Sequence, residues 1–184
     1  MPSLLVPFRG ESSKRRLAPA PDDVRAALAE AMLADVVAAC EAVGPTEVVR
    51  GHGGQGAALE RALRAVAPGP VLVVNADLPC VQPRDLLTLL GALPEGGIAL
   101  VGAADGTTNA LALAAAHLFA PLYGPGSAAR FMARAERLKA PFVTAAIPNL
   151  VDDVDTLADL ERLEGRLGTQ TAAVLEELRA GLPR

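Results

Sequence analysis

Short continuous apolar runs alternate along this chain with longer stretches in which apolar residues return every three or four positions. The runs read as strands buried on both faces and the stretches as helices packed over them. Val71-Leu72-Val73-Val74 is the clearest run, bounded by Pro70 and the polar Asn75. Similar runs predict strands over 3–8, 47–50, 98–101, 110–114 and 142–147. Helical periodicity predicts helices over 22–43, 57–66, 83–93, 126–140, 156–167 and 171–180. Asp22 or Asp23 is placed to cap the first, Gly44-Pro45 to stop it, and Pro83 to open the third. Only the strands 98–101 and 110–114 have no helix between them. The expectation is an α/β chain forming one domain over 1–184. Its architecture is a three-layer, Rossmann-like, mainly parallel sheet with helices on both faces.

Composition narrows this picture. With four Phe, one Tyr and no Trp, the core must be built from Leu, Val and Ala. A net charge of −4 argues against a broad basic surface for nucleic acid. Cys40 and Cys80 stand far apart and outside metal-type spacing, and both read as small buried residues. The N-terminal residues lack a basic segment followed by a long apolar stretch, and no run approaches about 18 uncharged apolar residues. A cytoplasmic protein without a membrane segment is therefore expected. The closing helix near Leu175 and Leu178 could pack on its own domain or on a second copy as a homodimer.

In a sheet of this kind ligands bind in the loops that follow the carboxyl ends of strands. The loop over 9–21 carries Lys14, Arg15 and Arg16, which could clamp a triphosphate or form a solvated basic turn. It lacks the glycine spacing of a P-loop. Asp77, at the exit of the most buried strand, could hold Mg²⁺ or cap the turn before Pro79. Asp152, Asp153 and Asp155 form a second acidic cluster between a strand and a helix. Asp155 reads as the N-cap of that helix, leaving Asp153 free to bind metal. Gly124-Pro125-Gly126-Ser127, with Arg130 one turn on, offers an anion site or an ordinary capped turn. Asp105-Gly106-Thr107-Thr108-Asn109 could grip a phosphate or a carboxylate, or simply turn a hairpin. His52 and His117 have no partner at catalytic spacing.

Five segments in fixed order carry a resemblance over nearly the whole chain. They are Val6-Pro7 with Lys14-Arg15-Arg16-Leu17-Ala18-Pro19, Asn75-Ala76-Asp77-Leu78-Pro79, Gly106-Thr107-Thr108-Asn109-Ala110-Leu111, Tyr123-Gly124-Pro125-Gly126-Ser127, and Asp153-Val154-Asp155-Thr156 with Asp159-Leu160. Together they resemble the guanylyltransferases that activate 2-phospho-L-lactate or phosphoenolpyruvate in coenzyme F-420 biosynthesis. Those enzymes are nucleotidyltransferases of the nucleotide-diphospho-sugar transferase type. The resemblance implies transfer of GMP from GTP to the phosphate of a small phosphorylated acid, with Mg²⁺ as cofactor and pyrophosphate released. It implies that Lys14 and Arg16 hold the triphosphate, and that Asp77 binds Mg²⁺ with Asp153 or Asp155. Gly54 and Gly56 would lie at the nucleotide, and Thr108, Asn109, Gly124 and Ser127 at the phosphoacid. The product, a labile diphosphate, would be handed to a downstream transferase.

Three departures accompany the resemblance. The segment 43–51 is short where the family carries a further strand and loop. The glycine segment reads Gly54-Gln55-Gly56-Ala57 where the family continues Gly-Leu-Asn, in the region that would line the base pocket. Arg9 stands where a lysine is usual, a change of shape rather than of charge. Two other readings remain at this level: a molybdenum-cofactor guanylyl- or cytidylyltransferase type, whose glycine-rich first loop with a later lysine is missing here, and a non-catalytic nucleotide-binding homologue.

Overall fold

All six expected strands form one sheet in the computed structural model, which describes residues 1–9, 17, 20–51 and 53–181. They are β1 (Ser3–Pro7), β2 (Thr46–Val49), β3 (Val71–Val74), β4 (Ile98–Gly102), β5 (Thr108–Leu113) and β6 (Phe142–Thr144), in the order β2-β1-β3-β5-β4-β6. Every neighbouring pair is parallel except those involving β5, which runs antiparallel to both β3 and β4. The cause is local. Parallel pairing needs a crossover of about a dozen residues or more, and the short link 103–107 can only fold back. β6 ends earlier than the apolar pattern predicts. Ile147 instead precedes a short helix with proline in its first turn, α5 (Pro148–Val151), in a stretch that reads as a loop.

Each central strand alternates between two cores. Leu4, Val6, Leu72, Val74, Ala99, Val101, Ala110 and Ala112 face one side of the sheet. There they meet α1 (Asp22–Glu41) and α3 (Pro83–Ala92) through residues such as Leu33, Val36, Leu86 and Leu89. Leu5, Val71, Val73, Ile98, Leu100, Leu111 and Leu113 face the other side, against α2 (Gln55–Leu63) and α4 (Ser127–Leu138). Burying each such Leu, Ile or Val side chain contributes roughly 1.5–3 kcal/mol, so the sheet needs few aromatics. Phe119, Tyr123 and Phe131 cluster on the second side, with Tyr123 edge-on to Phe131 at 5.6 Å between centroids.

Helix α1 is apolar almost all round because it is covered on two sides. Ala29, Leu33 and Val36 face the sheet, while Leu28 and Met32 join a third cluster with Leu160, Leu163 and Leu175. These last residues belong to α6 (Leu157–Leu163) and α7 (Thr169–Gly181). Helix α7 begins two residues before its apolar pattern suggests, and the reason is tertiary. Asp35 of α1 accepts hydrogen bonds from the Gln170 and Thr171 amides and from Thr171 Oγ1, a cap supplied by another helix. Cys40 and Cys80 are buried free thiols, and burial pushes the Cys40 thiol up to about 12. No described helix is long and apolar enough to cross a membrane.

Candidate active site

The carboxyl ends of β1 and β3 open into a cleft of about 240 Å³. Pro7, Phe8 and Arg9 line it from the end of β1, and Ala29 and Met32 from α1. Asn75, Ala76 and Asp77 reach it from the loop after β3. Gln55 in the first turn of α2, Gly124 and Asp155 complete the lining. This is the position that sheet topology assigns to a ligand.

Carboxylate oxygens of Asp77, Asp153 and Asp155 all lie within 4.8 Å of one another, a group that could hold a metal ion. One backbone hydrogen bond brings the two acidic loops together: the Val154 amide donates to the Asp77 carbonyl at 3.0 Å. The Val154 side chain is fully buried in the third core cluster. Its two neighbours project the other way, as alternate residues of an extended segment do. Burial first, and then the Asp77 carboxylate, push the Asp153 carboxyl above its usual value, and a hydrogen bond from Asn109 pulls it partly back. Like charges held this close favour a bound cation.

The other acids of this stretch serve the fold. Asp152 pairs with Arg162 at 2.9 Å and also with Arg166, and these partners hold its carboxyl below the usual range. The N-cap of α6 is Thr156 and not Asp155 as expected. Thr156 accepts from the Asp159 amide, while its own amide and hydroxyl donate to Asp159 Oδ2 at 2.8 Å. A threonine with an acid three residues on forms a reciprocal cap, which leaves Asp155 to the cluster.

The residues expected at the phosphoacid separate. Gly124 lines the cleft, with φ at 112°. Thr108 and Ser127 are buried, and the Ser127 hydroxyl donates to Thr108 Oγ1 at 2.9 Å. Asn109 is also buried and donates from Nδ2 to the Val151 carbonyl. Thr108 and Ser127 brace the wall on which Gly124 sits, the Ser127 amide donating to the Gly124 carbonyl at 3.0 Å, whereas Asn109 faces the Asp153 carboxylate. Gly126, in the left-handed region, is the N-cap of α4 in place of Ser127. Arg130 turns its guanidinium to the carbonyls of Leu122, Tyr123 and Pro125, tying down the glycine turn.

Gly54 and Gly56 bracket Gln55 at the start of α2. Gly54 has φ of 92° and precedes the helix. Gly56 packs so closely on the 120–122 segment that a Cβ there would stand 2.8 Å from Pro121 Cβ. Lys14 and Arg16 lie outside the described residues, as does His52. Sequence reasoning does not single out Ala29 or Met32. It marks Asn75 only as the first residue of the motif after β3, and Gln55 only as a departure within the glycine segment expected to line the base pocket.

The family model of the MobA-like NTP transferase domain matches residues 5–149. The chain belongs to this family. Its curated relatives include proteins named phosphoenolpyruvate guanylyltransferase, the group to which the five motifs point. One, from Sphaerobacter thermophilus, is 42% identical over 96 residues, covering 52% of this chain and 46% of that protein. Another, from Thermomonospora curvata, is 33% identical over 214 residues, covering 98% of this chain and 91% of that protein. The chain spans about half the length of the first of these relatives. Among solved structures, one described as a nucleotide-diphospho-sugar transferase of Desulfovibrio desulfuricans G20 superposes with a TM-score of 0.76 at 16% identity. That match covers 97% of this chain and 95% of the other. The NTP transferase family thus has here the fold of the nucleotide-diphospho-sugar transferases.

Proposed function

We propose that the chain transfers GMP from GTP to the phosphate of a small phosphorylated acid, phosphoenolpyruvate or 2-phospho-L-lactate, and releases pyrophosphate. In the cell this step would belong to coenzyme F-420 biosynthesis. The observation that carries the reading is the triad of Asp77, Asp153 and Asp155, of which Asp77 and Asp155 line a cleft at the strand ends, in a chain whose relatives are named for this reaction.

The donor set fits Mg²⁺. This ion sits roughly 2.0–2.1 Å from its oxygens, so ligands on one ion stand about 3–4 Å apart, within reach of the observed spacing. Bound there, Mg²⁺ supplies charge neutralisation on the α-phosphate and the departing pyrophosphate. The residues of the chain position the reactants. Arg9, at the cleft wall, adds a cation for phosphate, and Lys14 and Arg16 hold the triphosphate as the resemblance implies. Gly124 presents bare backbone, which lets an acid approach closely. An oxygen of its phosphate attacks the α-phosphorus, the bond to the bridging oxygen of the β-phosphate breaks, and pyrophosphate leaves. The attacking group is already an anion at neutral pH, so no protein base is required. Positioning and charge neutralisation then account for the rate.

The test is pyrophosphate release with Mg²⁺, each of four nucleoside triphosphates, and 2-phospho-L-lactate, phosphoenolpyruvate or 3-phosphoglycerate. Release with GTP and one of the first two acids is expected. Silence from every pair would overturn the proposal.

A further inference from the structure

We infer that Gln55, locked in one amide orientation by Asn75, reads the edge of the nucleobase and selects a 6-oxopurine over a 6-aminopurine. The inference rests on the nucleotidyl-transfer reading and extends it to the choice of donor.

The cleft has two kinds of lining. Asp77, Asp155 and Arg9 are charged and suit a metal-bound triphosphate. Phe8, Ala29 and Met32 are apolar, and Gln55 is a neutral amide among the lining residues. Apolar surface beside the paired amides of Gln55 and Asn75 complements a flat heterocycle that has apolar faces and a rim of donors and acceptors.

The orientation of that amide follows from the bonds beneath it. Asn75 lies between Gln55 and the backbone of β5. Its Nδ2 donates to the Thr108 carbonyl at 3.0 Å, and its Oδ1 accepts from Gln55 Nε2 at 2.7 Å. A backbone carbonyl only accepts, so the Asn75 nitrogen must face it. Its oxygen must then face Gln55, which must answer with nitrogen. Turning either amide over would set oxygen against oxygen or nitrogen against nitrogen. The relay thereby settles an assignment that amide shape alone leaves open. The backbone at Gln55 is held as well, because the neighbouring Gly56 packs against Pro121.

What remains for a ligand is Gln55 Oε1 and the second hydrogen on Nε2, in a fixed order. Guanine presents its O6 acceptor beside the N1 hydrogen, whereas adenine presents an N6 donor beside the bare N1 acceptor. The two purines therefore show opposite orders. A freely turning amide would serve both equally, but a locked one pairs with one and opposes the other, and the GTP-dependent reaction proposed above makes guanine the purine it pairs with.

The experiment compares wild type, Gln55→Met and Asn75→Ala, reading kcat/KM for GTP and ATP by Mg²⁺-dependent pyrophosphate release with phosphoenolpyruvate. Isothermal titration with each Mg²⁺–nucleotide runs in parallel. In Gln55→Met the preference for GTP over ATP falls about tenfold or more, chiefly through KM for the nucleotide. In Asn75→Ala the freed amide turns over, so GTP weakens while ATP improves about threefold. General damage to the site would lower both nucleotides and cannot produce that gain. A parallel fall for both, or an unchanged ratio in either variant, would overturn the inference. If Asn75→Ala does not fold, Gln55→Met still decides. If wild type transfers to no acid, the proposed activity fails separately. Titration then tests the base preference alone: its collapse in the variants supports the inference, and no wild-type preference overturns it.

Discussion

On the acidic side of the cleft the polar side chains converge on one another's oxygens, whereas in the wall built from residues 106–127 they mostly face into the protein. Asp77, Asp153 and Asp155 gather their carboxylates into one group. Thr108 and Ser127 spend their hydroxyls on each other, and Arg130 spends its guanidinium on carbonyls of its own turn. The first region places charge in the ligand space, and the second shapes bare backbone around it. Removing a group from the first should therefore destroy chemistry, while disturbing the second should change fit or stability.

The largest effect is expected at Asp77. Asp77→Asn keeps the size of the side chain but removes a charged metal ligand, and kcat/KM should fall about 10³-fold or more. Pyrophosphate release checks this, with circular dichroism confirming an unchanged fold; a loss below tenfold would mean that the acidic side is not the working one. Gly56→Val should act on stability, because the new Cβ meets Pro121 backbone as well as its side chain. Overpacking of this kind destabilises by about 1–3 kcal/mol, readable as a lower urea midpoint.

Arg130→Ala sharpens the contrast further. It deletes the donors that hold the Leu122, Tyr123 and Pro125 carbonyls, and the turn that carries Gly124 loosens. KM for the phosphoacid should rise about tenfold, which corresponds to roughly 1.4 kcal/mol, with KM for GTP changing less than twofold. An equal rise in both would remove the turn from the acid's side of the cleft.

The smallest effect is a gain. The Asp153 carboxyl is held above its usual value by burial and by Asp77, so its charged form is disfavoured in the metal-free fold. The folded state then binds the proton more tightly than the unfolded chain. Metal-free stability should decrease as pH rises from the ordinary carboxylate range through the raised value, and the loss is complete above it. Asp153→Asn should flatten that decrease and raise the metal-free melting temperature at pH 7 by about 2–4 °C, the shift roughly 1 kcal/mol produces in a chain of this size. It should at the same time abolish stabilisation by Mg²⁺. An unchanged or lower metal-free melting temperature would show that the cluster carries no strain.

The same contrast separates what could be read in advance from what could not. Asp77 stands three residues beyond a run of four buried apolar residues, a local pattern that announces a carboxylate at a strand end. The capping of α6 was misread because Asp155 and Thr156 are both good caps, and only the acid at 159 completes a box with Thr156. The partner of Ser127 is 19 residues away and that of Gln55 is 20, so neither bond leaves a mark in local periodicity.

Hydrophobic spacing alone determined the six strands, the alternation with helices and the hairpin of β4 and β5, because burial on two faces demands continuous apolar runs and a short link cannot cross over. It also placed Asp77 at a strand exit, whereas Asp153 and Asp155, expected directly after a strand, follow the short helix α5 instead. Tertiary structure decided which of those acids meet, through the amide of Val154, and which are consumed by Arg162, Arg166 and Thr156. It decided that Gly56 is a contact with Pro121, that Asp35 caps a helix far along the chain, and which way the Gln55 amide faces. Apolar burial acts on every residue of an element and so writes itself as a period along the chain. A hydrogen bond between distant segments forms only once packing has brought its two ends together.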